Sequence, residues 1–171
     1  WEFVQLSGAW ARENHVIATP LRHGRQSVGS DRGASSHQHN PFLALMRATT
    51  TEDAGEAYGF SLVYSGNFIA EAEVDAYDTT RVRIGISPKT FTWTLEPGDA
   101  FTTPEAILVY SDAGLGPMSD ALHGLYRERL ARGTWRDAPR PVLINNWEAT
   151  YFGFDEAKLV EIAASARDLG V

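Results

Sequence analysis

The sequence predicts a mainly β protein: a β-sandwich followed by a linker helix and a single strand–helix unit. Three observations carry this. Short apolar–polar alternations recur between turn signals up to about residue 110. The apolar spacing then switches to that of a helix. Beyond Pro139 and Pro141 stands a short wholly apolar run, and a second helical stripe follows it.

The strands are justified in order. Residues 58–64 lead through Ser65-Gly66-Asn67, a turn signal, into residues 68–74. There Glu71 and Glu73 alternate with Ala70, Ala72 and Val74, the period of a strand with one wet face. Residues 81–86 alternate likewise, with Val82, Ile84 and Ile86 pointing inward. Residues 91–95 repeat the pattern before the breaker Glu96-Pro97-Gly98-Asp99. Residues 106–110 read as a more fully buried strand. Pro117 then precedes Ser119, a plausible N-cap, and Leu122, Leu125, Tyr126 and Leu130 follow at helical spacing; Gly133 falls where that helix would end. Val142-Leu143-Ile144 reads as a strand buried on both faces. Asp155 can cap a second helix, whose apolar stripe is Leu159, Ile162, Ala163, Ala166 and Leu169, and Gly170 stops it. One strand–helix unit cannot make a core alone. It requires further strands, as in a parallel sheet or a (β/α) barrel, and the chain is expected to be cut at both ends.

Composition narrows the function. The 171 residues are 43% hydrophobic and 22% charged, as in an ordinary globular protein. A net charge of −7 and a pI near 5.2 argue against nucleic acid, whose phosphates need clustered Lys and Arg. The same balance does not exclude a neutral ligand such as a sugar. With no cysteine, thiolate zinc sites, disulfide scaffolds and thiol nucleophiles are excluded, and a cytoplasmic setting agrees. No apolar run reaches the ~18 residues of a membrane helix.

Few residues are placed for chemistry. A (β/α) barrel carries its site at the C-terminal strand ends, and that position here holds Asn145, Asn146 and Trp147. Asn can exchange hydrogen bonds with hydroxyls, and Trp offers an apolar face to a pyranose and an N–H to one hydroxyl. Spacing alone leaves Trp147 equally readable as a core aromatic. Glu148 reads as a structural hydrogen-bond partner; Asp155 and Glu156 suit a helix N-terminus. His37 and His39 could share one face of a strand, but without a third ligand they make no complete metal site. Gly24, Gly29 and Gly33 do not stand between a strand and a helix, so no phosphate loop is expected. Ser35-Ser36-His37 lacks the setting of a hydrolase nucleophile. No cofactor or metal is expected.

Residues 140–152, Arg-Pro-Val-Leu-Ile-Asn-Asn-Trp-Glu-Ala-Thr-Tyr-Phe, resemble the start of the catalytic barrel in glycoside hydrolase family 36, the bacterial-type α-galactosidases. Residues 33–42, 58–68, 96–98, 102–106 and 122–130 match the same family in order, so the resemblance covers essentially the whole chain. Gly153 departs from it, standing where an acidic residue is usual. The resemblance implies an N-terminal β-supersandwich over residues 1–115, lacking its first part. A helical linker over 116–139 and the first βα unit of a (β/α)8 TIM barrel over 140–171 follow. It implies that Trp147 lines the galactose subsite, and that the sugar-binding aspartate pair and both catalytic aspartates lie beyond Val171. No catalytic residue is then expected in this chain. The intact protein would hydrolyse terminal α-galactosides such as melibiose or raffinose with retention, as a homo-tetramer. The alternatives are α-N-acetylgalactosaminides or galactosyl transfer in the same family, or a carbohydrate-binding or structural sandwich without catalysis.

Overall fold

The computed structural model describes residues 1–171 and is mainly β, with two antiparallel sheets. The strands are β1 (Glu2–Ala9), β2 (Arg12–Pro20), β3 (Gly24–Ser30), β4 (His39–Met46), β5 (Ala57–Leu62), β6 (Phe68–Val74), β7 (Thr80–Ile86) and β8 (Ala106–Ser111). One sheet has the order β2-β1-β4-β5-β8 and the other β3-β6-β7. The chain forms two compact units, Trp1–Tyr126 and Arg127–Val171.

In the first unit Ser65-Gly66-Asn67 carries the chain from one sheet to the other, since β5 and β6 belong to different sheets. Between the sheets lies a layer of Phe3, Val28, Leu43, Leu45, Leu62, Phe68, Ala70 and Ala72, with Val82 and Ile84 packed against it. The inward pointing of Val82 and Ile84 follows the sequence alternation. A second cluster, Val4, Ala44, Ala57 and Met118, lies on the other face of the larger sheet, under α1 (Leu115–Leu125). That helix approaches β5 at Gly59, where an added Cβ would sit 2.8 Å from Val109 and 3.0 Å from the Met118 sulfur.

The face of β6 expected to be wet is covered. Glu71 is only 5% exposed. As the middle strand, β6 sets Glu71 opposite Arg83 and Glu73 opposite Arg81 and Arg25. Arg83 bridges Glu71 at 2.8 Å and Glu73 at 2.9 Å, and Arg25 lies 3.8 Å from Glu71. These pairs, the Glu71 hydrogen bond foremost, hold the Arg83 guanidinium above its ordinary pKa. A carboxylate excluded from water is tolerated when it is paired in this way.

Four further expectations are corrected. Residues 91–95 alternate like a strand but form none; with no backbone ladder to join, Phe91 and Trp93 cluster instead with Phe101, Trp93 and Phe101 having ring centroids 5.0 Å apart. β8 is an edge strand and buries one face only: Val109 packs under α1 while Leu108 is 69% exposed. Ser119 lies inside α1, which starts earlier because its first N–H groups find carbonyls elsewhere. Leu115 N–H donates to Thr51 O at 3.0 Å and Gly116 N–H to Glu52 O at 2.9 Å. Pro117 is accommodated in that first turn, where its missing N–H leaves nothing unpaired. At the other end the helical path does not run on to Gly133: α1 ends at Leu125 and passes into a π-helical turn, Tyr126–Leu130.

In the second unit, a 3-10 turn (Thr134–Arg136) precedes α2 (Trp147–Thr150) and α3 (Glu156–Asp168). Residues 142–144 make no ladder and are open to solvent, Val142 at 74% and Leu143 at 82%. A strand requires a neighbour for its N–H and C=O groups, and no other strand lies within residues 127–171. The helix signals are met. Asp155 Oδ1 accepts the Lys158 N–H at 2.9 Å as the N-cap of α3. At the far end Gly170 has φ +87°, its N–H donates to Arg167 O at 2.9 Å, and Val171 N–H donates to Ala166 O at 3.0 Å. That pair of bonds is a Schellman cap.

Two outcomes follow for stability. Gly114 has φ +97°, and an added Cβ would meet Glu52 O at 2.4 Å. Gly114→Ala should destabilise by about 2 kcal/mol or more in a denaturant titration; an unchanged midpoint would contradict the tight docking of the α1 start. Asp75 lies below its ordinary pKa of 3.8 because its carboxylate accepts the Tyr77 and Thr79 N–H groups. Asp31 is lowered too, first by the Lys89 ammonium and then by the Ser87 hydroxyl. A depressed folded-state pKa adds stability above the unfolded value, about 3.9, which is lost as pH falls through the folded value. Thermal scans should show Tm dropping below about pH 4, with a shallower drop in Asp75→Asn.

Candidate functional site

The site is built at the end of the apolar run Val142-Leu143-Ile144. Asn145 turns the chain: its Oδ1 accepts the Trp147 N–H at 2.9 Å, satisfying one of the free donors at the start of α2. Asn146 donates from Nδ2 to Thr150 Oγ1 at 2.8 Å, and Thr150 Oγ1 donates back to Asn146 O at 3.0 Å. Two backbone bonds complete the turn, Thr150 N–H to Asn146 O at 3.0 Å and Tyr151 N–H to Trp147 O at 2.8 Å. A helix of four residues has almost no stability of its own, so these side-chain bonds hold it.

Trp147 is 42% exposed and lies outside any buried cluster, so within this chain it is not a core aromatic. Its ring meets Tyr151 at 5.6 Å between centroids and 75°, and Phe152 at 4.8 Å and 89°. Both are edge-to-face arrangements favoured by the ring quadrupoles. Tyr151 stands at φ +47°, ψ −118°, a conformation that L residues with a side chain rarely adopt. Strain of about 1–3 kcal/mol persists only where surrounding contacts fix it. Here the fixing contacts are the Tyr151 N–H bond and the ring contact.

The two amides read from the sequence as donors and acceptors for hydroxyls are partly engaged within the chain. The Asn145 side-chain carbonyl and the Asn146 side-chain amino group are taken up by the turn itself. Glu148, expected as a structural hydrogen-bond partner, is exposed in the first turn of α2 and pairs with nothing in the chain; it favours that helix end by its charge alone. Asp155 is occupied with capping α3. Trp147 therefore has no pair of carboxylates beside it. The sequence missed Thr150, although the four-residue spacing from Asn146 places the two on one helix face.

Val142, Ile144, Asn146, Leu159, Ile162 and Ala163 are among the residues lining a groove of about 600 Å³. The histidines read from the sequence belong to the first unit. His39 opens β4 with Nδ1 3.0 Å from Ser7 Oγ, while His37 lies in the turn before it, so the two do not share a strand face. No group of three His, Cys, Asp or Glu side chains could hold a metal ion.

Comparison with known proteins covers both units. Residues 1–96 match the glycosyl hydrolase family 36 N-terminal domain, and residues 100–171 match the Melibiase family. The chain is 56% identical over all 171 residues to α-galactosidase AgaA of Geobacillus stearothermophilus, covering 24% of that protein. It is 48% identical over 171 residues to α-galactosidase 1 of Pediococcus pentosaceus, covering 23% of it. Among solved structures, an AgaA variant from Geobacillus stearothermophilus in complex with raffinose superposes with a TM-score of 0.93 at 56% identity. That match covers 99% of this chain and 24% of the other. The chain thus spans about a quarter of the length of the relatives it matches. With more than half of its residues in the family 36 N-terminal domain and nearly all the others in Melibiase, the chain belongs to glycosyl hydrolase family 36.

Proposed function

We propose that this chain is part of a retaining α-galactosidase, and that Trp147 forms one wall of its galactose subsite. The observation that carries the reading is an exposed indole, fixed on a hydrogen-bonded turn at the end of an apolar run. Such a ring offers the C–H face of a pyranose a flat apolar surface. The names of its relatives support the substrate class: each is an α-galactosidase, and related structures hold raffinose and stachyose.

In the double displacement, one carboxylate attacks the anomeric carbon while a second carboxyl protonates the departing glycosidic oxygen. Water then hydrolyses the galactosyl–enzyme ester, with the second group acting as base. The two carboxyls stand about 5–5.5 Å apart. Within residues 127–171 the acidic side chains near Trp147 are an unpaired surface glutamate and a helix cap. Nucleophile and acid/base therefore belong to other parts of the intact enzyme. This chain contributes substrate positioning and exclusion of water from one face of the sugar.

The same reading assigns residues 1–115 to a β-supersandwich, 116–139 to a linker and 140–171 to the first βα unit of a (β/α)8 barrel. The parting of the compact units at Tyr126 and Arg127 falls inside that linker. We further propose a cytoplasmic setting, with which a chain free of cysteine agrees, and a homo-tetrameric intact enzyme.

In the full-length enzyme, Trp147→Ala should lower kcat/KM for raffinose by about 30-fold or more, the scale of a buried aromatic anchor; wild-type kinetics would remove Trp147 from the subsite. The 171-residue chain alone should release no galactose from raffinose or an aryl α-galactoside. Turnover by the purified chain would overturn the assignment of both carboxylates to other parts of the enzyme.

A further inference from the structure

We infer that Asn145 and Thr150 are positioning residues for Trp147, acting as a clasp that fixes the indole for sugar without touching the sugar themselves. The inference rests on the reading of Trp147 as a subsite wall. Asn145 holds the backbone of Trp147 from the N-terminal side, with Oδ1 on its N–H at 2.9 Å. Thr150 holds the turn from the C-terminal side, accepting from Asn146 Nδ2 at 2.8 Å and donating to Asn146 O at 3.0 Å. Between these two anchors the only residues are Asn146, Trp147, Glu148 and Ala149.

Three features argue that the clasp serves the indole and not merely the fold. First, a serine or threonine hydroxyl bonded to the carbonyl four residues back slightly destabilises an ordinary helix. Here the same hydroxyl also accepts an amide, so the bond is built into a two-way link. Second, neither α2 nor its flanks contribute a residue to either buried cluster, so the order of this turn comes from its own bonds. Third, the strained Tyr151 follows directly on Thr150, and both Tyr151 and Phe152 present rings to Trp147. Loss of the Thr150 hydroxyl would release the turn and let these three rings move together. Indole placement decides how well a pyranose face is met, and so how tightly the sugar is held.

The test uses the full-length enzyme with raffinose as probe. Thr150→Val keeps the shape and removes both side-chain bonds; Asn145→Ala removes the acceptor for the Trp147 N–H. Each should raise KM by about tenfold with kcat within about twofold, because the wall and not the reacting carboxylates is displaced. Thr150→Ser and Asn145→Asp, which keep the hydroxyl and the acceptor, should return KM to near the wild-type value. A lowered Tm or a smaller active fraction with unchanged KM in both Thr150→Val and Asn145→Ala would show a purely structural role and overturn the proposal. If Thr150→Val does not fold, Asn145→Ala with its Asp counterpart decides alone. Trp147→Ala, measured in the same series, separates the two readings. Crippled Trp147→Ala beside wild-type KM in the clasp variants refutes the clasp only. Wild-type Trp147→Ala refutes the subsite wall beneath it.

Discussion

The first 126 residues depend on the single layer of side chains shared by the two sheets. Phe68 and Leu43 are fully enclosed there, one from each sheet, and the other members arrange around them. A sandwich is stable only if both sheets bury one face in common, and that requirement sets the register of every strand reaching the layer. It also explains β6. With Phe68, Ala70 and Ala72 turned inward, Glu71 and Glu73 must face out, and β3 and β7 then bring arginines to both sides of them. The outer face of the smaller sheet is thus closed by charge pairing, where the larger sheet closes its outer face with α1.

The second unit is organised differently. It has no shared layer, and its order is local: a capped helix, a Schellman stop and a one-turn helix held by an asparagine, a threonine and a strained tyrosine. Local hydrogen bonding of this kind can fix one side chain well while leaving wide apolar surfaces uncovered. Leu143, Phe152 and Leu169 are such surfaces, and Trp147 is the fixed side chain. That division of labour is consistent with the role proposed for Trp147 as one wall of a sugar site.

What was legible in the sequence were features that depend on neighbours along the chain. The two-residue period of β6 and β7, the Asp155 cap and the Gly170 stop are all short-range, and the structure has each of them. What was not legible depends on partners far away in sequence. Residues 91–95 carry the same alternation as β7 but have no strand to pair with. The early start of α1 rests on carbonyls of Thr51 and Glu52, more than sixty residues upstream. Residues 106–110 look buried because they are apolar, yet they form an edge. At the site, Asn145-Asn146-Trp147 was visible as a group, and the role proposed for Trp147 came from the family resemblance. Which atoms of the two amides are taken up by the turn could not be read from the sequence. Thr150 carries no apolar or charged signal, and only its helical spacing from Asn146 could have marked it.

The central claim is that Trp147 is a wall of the galactose subsite, held there by its own turn. A crystal structure of the full-length, catalytically silenced enzyme with raffinose bound tests it most directly. The account predicts the indole face in van der Waals contact, about 4 Å, with the C–H face of the terminal galactose. It also predicts the Asn145 and Thr150 bonds intact. A galactosyl group bound with the indole turned away, or with α2 unwound, would contradict it.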